Sequence, residues 1–313
     1  METSSGKEII PAVIVVDIGG TSTKVAIAAN NTVVARTTFP SFKPTAQDYR
    51  TNLLCTNVHT WLTREVGVAL HSELGIQAIM IGAAGIWGEA EYSKYHELFM
   101  HDWLTLSAYK PRVIVCSDPE LVLYAANGLN PGIVLIAGTG SVAVQRTRGL
   151  LKKVGGWGPH LDDAGSGFHI GLLAMRAVAA AIDGRGSSTQ LIEAVAELAG
   201  VPATDQARLS DILRSGTLRA ALLAEKVFDY AQKGDAVARE ICNTAAAALA
   251  LHLKPLTIEH DQVYVHGSLF KNTYYFTIVT NEIAKMYPQC KLTFVPSVIE
   301  AAALRLYGST QEG

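Results

Sequence analysis

Ala12-Val13-Ile14-Val15-Val16-Asp17-Ile18-Gly19-Gly20-Thr21-Ser22-Thr23-Lys24-Val25-Ala26-Ile27-Ala28 is the stretch whose reading decides the fold. The β-branched run from Ala12 to Val16 has the composition of a buried strand, and Asp17 to Thr21 breaks it with a glycine turn. A second strand, Lys24–Ala28, follows at once, and a third, Val33–Thr38, extends the hairpin into an antiparallel meander. Next, Leu53, Leu54, Val58, Trp61, Leu62, Val66 and Leu70 recur at spacings of three and four, which predicts a helix over Thr45–Leu74 with Gly75 as its C′ residue. Short strands at Ala78–Ile81 and Val113–Cys116 each lead into a helical pattern. The order up to about Gly128 is therefore βββαβαβα, a mixed sheet with helices on its faces.

A second cycle starts at Ile133–Ala137, turns through Gly138-Thr139-Gly140-Ser141 and continues in Val142–Arg146. Strand, Gly/Thr turn and strand recur, so Asp-Ile-Gly-Gly-Thr answers to Ala-Gly-Thr-Gly-Ser, and the chain reads as two related domains. Ala174–Tyr230 is rich in Ala and Leu at helical spacing and is interrupted by a loop at Asp183–Ser188. A helix over Ala236–Leu253, a strand at Gln262–Val265, a further helix, a strand at Leu292–Val295 and a last helix over Ser297–Tyr307 complete the pattern. The tail Gly308–Gly313 is expected to fray.

Composition narrows the function. The chain has 313 residues, 49% of them hydrophobic and 17% charged, which excludes disordered and fibrous classes. Twenty-six basic against 28 acidic side chains give a net charge of −2, so nucleic acid is not an expected partner. No apolar run approaches the ~20 residues that span a bilayer, and the first residues lack a basic leader, so a cytoplasmic protein without a membrane partner is expected. Cys55, Cys116, Cys242 and Cys290 stand singly, without zinc-ligand spacing, and read as reduced packing thiols.

The two Gly and Thr/Ser turns suit an anion: glycine lets the backbone approach, and N–H groups and hydroxyls face phosphate oxygens. Ordinary hairpin turns fit either one alone equally well. Neither fits the G-x-x-x-x-G-K-[ST] or G-x-G-x-x-G patterns, which excludes P-loop and Rossmann readings.

Asp17-Ile18-Gly19-Gly20-Thr21-Ser22-Thr23-Lys24 resembles the first phosphate motif of the actin/hexokinase/heat-shock-chaperone superfamily, Gly138-Thr139-Gly140-Ser141 its second, and Val263-Tyr264-Val265-His266-Gly267-Ser268 its adenosine motif. Gly155-Gly156-Trp157-Gly158 with Asp162-Asp163-Ala164-Gly165-Ser166-Gly167 is similar to the signature of the N-acetylglucosamine kinase branch, the BadF/BadG/BcrA/BcrD ATPase family. The motifs occur in the family's order over nearly the whole chain.

That resemblance implies an α/β protein of two actin-like ATPase (ribonuclease-H-like) domains, each a mixed five-stranded sheet flanked by helices, with an interdomain cleft. The implied domains are 1–119 with 298–313, and 120–297. The implied activity is an ATP-dependent sugar kinase acting on the 6-hydroxyl of N-acetylglucosamine or a close amino sugar, with Mg²⁺ as cofactor and a homodimer as the assembly. By resemblance, Asp17 holds Mg²⁺ through water, and Asp118 is the general base. Gly19, Gly20, Thr21, Lys24, Gly138, Thr139, Gly140, Gly267 and Ser268 hold ATP, while Ser141, Gly156, Trp157 and Asp163 hold the sugar. Asp118-Pro119-Glu120 before an apolar helical pattern is also a helix N-cap with proline at N1.

The chain departs from the family pattern where Asp162 replaces a glycine, Ala164 a glutamate and Ser268 a glycine, and where Ser41-Phe42-Lys43-Pro44 lacks an asparagine. These departures bear on which sugar is taken. Two other classes remain: a BadF-type activator of a partner enzyme, for which isolated cysteines offer no cluster ligands, and a sugar or nucleotide sensor without catalysis.

Overall fold

In the first sheet β1 (Ile9–Ile18) is the central strand, with the segment from Ala12 to Val16 almost wholly inaccessible, as its unbroken apolar run requires. The structure, a computed structural model, describes residues 9–67, 73–257 and 262–311. These fall into two compact units, one running through Leu129 and resuming at Val295, the other Asn130–Phe294.

In the first unit β2 (Ser22–Ala29) and β3 (Thr32–Pro40) run antiparallel beside β1, while β4 (Glu73–Ala83) and β5 (Arg112–Ser117) run parallel to it, in the order β3-β2-β1-β4-β5. Helices α1 (Thr51–Trp61), α2 (Glu89–Leu106), α3 (Asp118–Asn127) and the C-terminal helix (Val298–Gln311) surround the sheet. Phe99 and Trp103 of α2 stack at 5.8 Å in the core.

Three local expectations are corrected here. The predicted helix does not close at Gly75: α1 ends at Trp61, one π-helical turn follows to Val66, and Leu74 and Gly75 pair with Ile10 and Pro11 inside β4. The buried alternation Leu74, Ile76, Ala78 is a strand period, and it prevails over the helical spacing ahead of it. Leu70 lies outside the described residues. The C-terminal helix does not fray at Gly308 but continues to Gln311, with Ser309 and Thr310 hydroxyls bonding back to Leu306 and Tyr307 carbonyls. The sequence boundary at 119/120 falls inside α3, whereas the first unit holds all of α3. Arg305 of the C-terminal helix donates to the carbonyls of Ala125 and Ala126 at 2.9 and 2.8 Å.

The second unit repeats the first sheet strand for strand. The antiparallel strands β6 (Gly132–Ala137), β7 (Ser141–Thr147) and β8 (Leu150–Gly155) are followed by the parallel β9 (Gln262–His266) and β10 (Lys291–Phe294), in the order β10-β9-β6-β7-β8. The expected pair of mixed five-stranded sheets is therefore present, and the repeat between the two glycine turns reflects a repeat of architecture. The Ala/Leu-rich region resolves into α4 (Gly167–Ile182), α5 (Leu191–Ala199), α6 (Gln206–Ser215) and α7 (Ala224–Lys233), with a 3-10 turn at Ala220–Leu223. Then come α8 (Ala236–Ala250), a 3-10 turn at Leu251–Leu253, and α9 (Thr273–Met286) between β9 and β10. Phe228 of α7 stacks on Tyr275 of α9 at 4.9 Å, each fully buried, and burying side chains of this size contributes about 1.5–3 kcal/mol apiece.

Candidate functional site

In the first unit the candidate residues gather at the carboxyl edge of the three parallel strands, where open α/β sheets bind ligands. Asp17 of β1 is in register with Gly82 of β4, which is in register with Cys116 of β5. Residues in register share a face of the sheet, so Asp17 lies on the face that α3 covers. Gly82 makes that packing possible: a Cβ there would meet Leu121 of α3 at 2.6 Å. Strands about 4.8 Å apart place Asp17 and the start of α3 about 10 Å apart.

Asp118 opens α3, but it is not the cap. Ser117 is the N-cap and closes a capping box with Glu120, which moves Asp118 to N1 and proline to the second turn position, a correction to the capping pattern expected from Asp118-Pro119. Glu120, only 4% exposed, takes on one oxygen the Ser117 N–H at 3.0 Å, the Ser117 hydroxyl at 2.7 Å and the Tyr92 hydroxyl. Burial, followed by that bond to Glu120, pushes the Tyr92 hydroxyl well above its ordinary pKa.

The first glycine turn is closed by Gly19 N–H donating to Ser22 O at 3.0 Å, with Gly20, Thr21 and Lys24 exposed. Ser41 lies over it, donating to Gly19 O at 2.6 Å, and Phe42 N–H donates to the buried Thr23 hydroxyl at 3.0 Å. The segment Ser41–Pro44 thus buttresses the first glycine turn.

In the second unit the second turn, the Asp162–Gly167 loop and the adenosine motif meet. Gly138 accepts from Gly167 N–H at 2.8 Å and Thr139 from Phe168 N–H at 3.1 Å, joining the turn to the start of α4. Asp163 holds a left-handed backbone at φ 56° and turns its carboxylate onto the turn, accepting from Ser141 N–H at 3.3 Å. The Ser141 hydroxyl donates back to Ala164 O at 2.8 Å. Burial raises the Asp163 carboxyl above its usual range, the Ser141 N–H opposing this and the neighbouring Asp162 adding to it. Gly267, at φ 114°, lies so close to the Ala137 carbonyl that no side chain fits, and this brings Ser268 beside Gly138. Trp157 follows the left-handed Gly156 and is 75% exposed, so a core aromatic is excluded.

A cavity of about 740 Å³ opens in this unit, with Thr139 and Ser268 in its wall. Lining missed from the sequence includes Leu218 to Leu222, the cationic Arg219 among them, with Glu225 and Lys271. The Ala220–Leu223 turn had no signal apart from the Ala/Leu-rich pattern around it; Gly171 of α4, against which Ala220 packs without room for a Cβ, is the only local trace. Lys271 follows Ser268 within one 3-10 turn, so the adenosine motif already pointed to it.

Among the described residues no helix is long and apolar enough to cross a membrane. The chain is 29% identical to the N-acetylmuramic acid/N-acetylglucosamine kinase of Clostridium acetobutylicum over 69% of its length and 72% of that protein. It is 26% identical to the N-acetyl-D-glucosamine kinase of Dictyostelium discoideum over 88% of its length and 91% of that protein. A solved structure from Porphyromonas gingivalis shares the fold, with a TM-score of 0.69 at 19% identity, covering 96% of this chain and 100% of that one. The family model for the BadF/BadG/BcrA/BcrD ATPases matches residues 15–303, both glycine turns and the adenosine motif included, and the chain belongs to that family.

Proposed function

We propose that the protein is an ATP-dependent amino-sugar kinase that transfers the γ-phosphoryl group to the 6-hydroxyl of N-acetylglucosamine or a close relative such as glucosamine or N-acetylmuramic acid. The observation that carries this is the cavity shared by Thr139 and Ser268, residues from two motifs far apart in sequence. Its volume suits a nucleoside, since small-molecule sites span about 300–1,000 Å³. Apolar Leu218 and Leu222 face the base, Gly267 and Ser268 pass close to adenine and ribose, and the Gly138–Gly140 turn offers N–H groups to the phosphates. Gly19, Gly20, Thr21 and Lys24 offer the same kinds of group to phosphate oxygens at the first glycine turn.

Phosphoryl transfer asks for positioning, charge neutralisation and a base at the attacking hydroxyl. Asp118, the first residue of α3 just past the end of β5, takes the proton of the sugar hydroxyl. Trp157 packs on an apolar sugar face, Gly156 lets the chain come close, and Asp163 and Ser141 set the hydroxyl-binding edge.

Mg²⁺ fits Asp17: one half-buried carboxylate at the strand edge is the donor set this ion takes when water and phosphate oxygens complete its shell. Bound there, the ion would neutralise phosphate charge. Coupled ADP release with Mg·ATP against N-acetylglucosamine, glucosamine, N-acetylmuramic acid, N-acetylmannosamine and glucose tests the reading. Release that depends on one amino sugar supports it, and release equal with and without sugar contradicts it in favour of an ATPase acting on a partner.

A further inference from the structure

Tyr92 stands in the first turn of α2, and its hydroxyl donates to Glu120 Oε2 in the first turn of α3. The same oxygen takes the N–H and the hydroxyl of Ser117, at 3.0 and 2.7 Å. Three donors therefore meet on one atom of a buried carboxylate, whose burial is costly unless hydrogen bonds of this kind meet it. The two donors from Ser117 belong to the capping box, which holds the start of α3 to itself. The third comes from a different element, so it fixes the start of α3 against α2.

The anchor is itself held. Tyr92 N–H donates to Gly88 O at 3.1 Å, and the Glu91 carboxylate takes the Trp87 N–H at 2.6 Å, so hydrogen bonds pin the entry into α2 on both sides of Gly88. Burial and the bond to Glu120 hold the Tyr92 hydroxyl far above its ordinary pKa, which keeps it a donor across the neutral range. Ser117 ends β5 and Asp118 opens α3 with no loop between them, so a contact that fixes Ser117 also fixes the backbone of Asp118. We infer that Tyr92 is a positioning residue for Asp118: its hydroxyl, acting through Glu120, holds the β5–α3 junction in the orientation from which the Asp118 carboxylate meets the sugar hydroxyl. The inference rests on reading Asp118 as the base. A second hydroxyl of α2, one turn further on, supplies the contrast, because Tyr95 is fully buried and its hydroxyl has no hydrogen-bond partner.

Tyr92→Phe and Tyr95→Phe each remove one hydroxyl from the same helix, so comparing them isolates the bond to Glu120. With Mg·ATP and the amino sugar that drives ADP release, Tyr92→Phe is expected to lower kcat at least about tenfold, since small misplacements of a reacting group cost factors of this size. The KM values for sugar and ATP should stay within about twofold, the pattern of a loss felt in the transition state and not in binding. Tyr95→Phe should keep the kcat of the unaltered chain. Glu120→Ala removes the acceptor and should lower kcat, and adding Tyr92→Phe to it should lower kcat no further. A second readout needs no turnover: amide exchange at the Ser117 N–H should quicken at least about fivefold in Tyr92→Phe, and not in Tyr95→Phe.

An undiminished kcat in Tyr92→Phe, an equal loss in Tyr95→Phe, a raised sugar KM in place of a lowered kcat, a further fall in the double variant, or unchanged exchange at Ser117 overturns the inference. Absence of sugar-dependent ADP release from the unaltered chain overturns the kinase reading instead, and exchange at Ser117 still decides whether Tyr92 fixes the junction.

Discussion

Asp163 lays its carboxylate against Gly140, with Oδ1 2.9 Å from the position a Cβ on that glycine would take. The second glycine turn and the carboxylate of the Asp162–Gly167 loop are therefore one packed unit, held also by the Ser141 N–H on the same oxygen. Gly140→Ala is expected to push the carboxylate off the turn, costing about 1–3 kcal/mol by overpacking. Chemical denaturation should show that loss, and ADP release should fall together with nucleotide affinity. Wild-type stability and turnover in Gly140→Ala would refute the coupling.

Burial raises the Asp163 carboxyl, so its folded-state pKa lies above the ordinary carboxylate value of 3.8. A raised acid binds its proton more tightly when folded, and the stability this contributes is lost as pH rises through the folded pKa. Asp163→Asn carries no such charge. Its stability relative to the unaltered protein should rise as pH climbs from below 3.8 toward neutrality, measured by urea unfolding at a series of pH values. The sugar KM of the variant should nonetheless increase, because the amide no longer accepts on both atoms.

Gly82 and Leu121 make a second such pair. Gly82→Ala would place a methyl 2.6 Å from Leu121 and lift α3, with Asp118 at its start, off β4. The expected loss is about 1–3 kcal/mol with reduced turnover. Adding Leu121→Gly removes both the Cβ and the Cδ2 that lie 2.6 Å from that methyl, so the double variant should be more stable than the sum of the two single losses predicts. Additive losses would contradict the packing account.

Trp157 is 75% exposed and packs on little, so Trp157→Phe should change stability by less than about 0.5 kcal/mol. Amino sugar should alter the emission of the unaltered protein, and that change should vanish in the variant. A change retained in Trp157→Phe would assign it to another tryptophan.

Much of this was legible in the sequence where a long apolar run met a glycine turn. Ala12–Val16 and Ile133–Ala137 read directly as the central strands, and the turns after them as matching positions of a repeat. The strand over Leu74–Ala78 was obscured because a helical spacing ran into it, although its alternation was present. β8 was overlooked for a different reason. Leu150-Leu151-Lys152-Lys153 is an exposed edge strand without a buried face to impose a period of two.

At the site, Ser117-Asp118-Pro119-Glu120 already spells the S-x-x-E capping box, so the displacement of Asp118 to N1 could have been read from it. The Leu218–Leu222 wall of the cavity could not, because it depends on contacts between segments remote in the chain, which local spacing does not encode.

Phosphorus NMR of the product separates sugar phosphorylation with Asp118 as base from simple ATP hydrolysis. N-acetylglucosamine, or whichever amino sugar of the panel drives ADP release, is incubated with Mg·ATP and the protein. The expected result is a phosphate monoester whose phosphorus couples to the two C6 protons, formed by the unaltered chain and lost in Asp118→Asn while that variant still binds ATP. Inorganic phosphate in place of the ester, or an ester formed at an undiminished rate by Asp118→Asn, would contradict it.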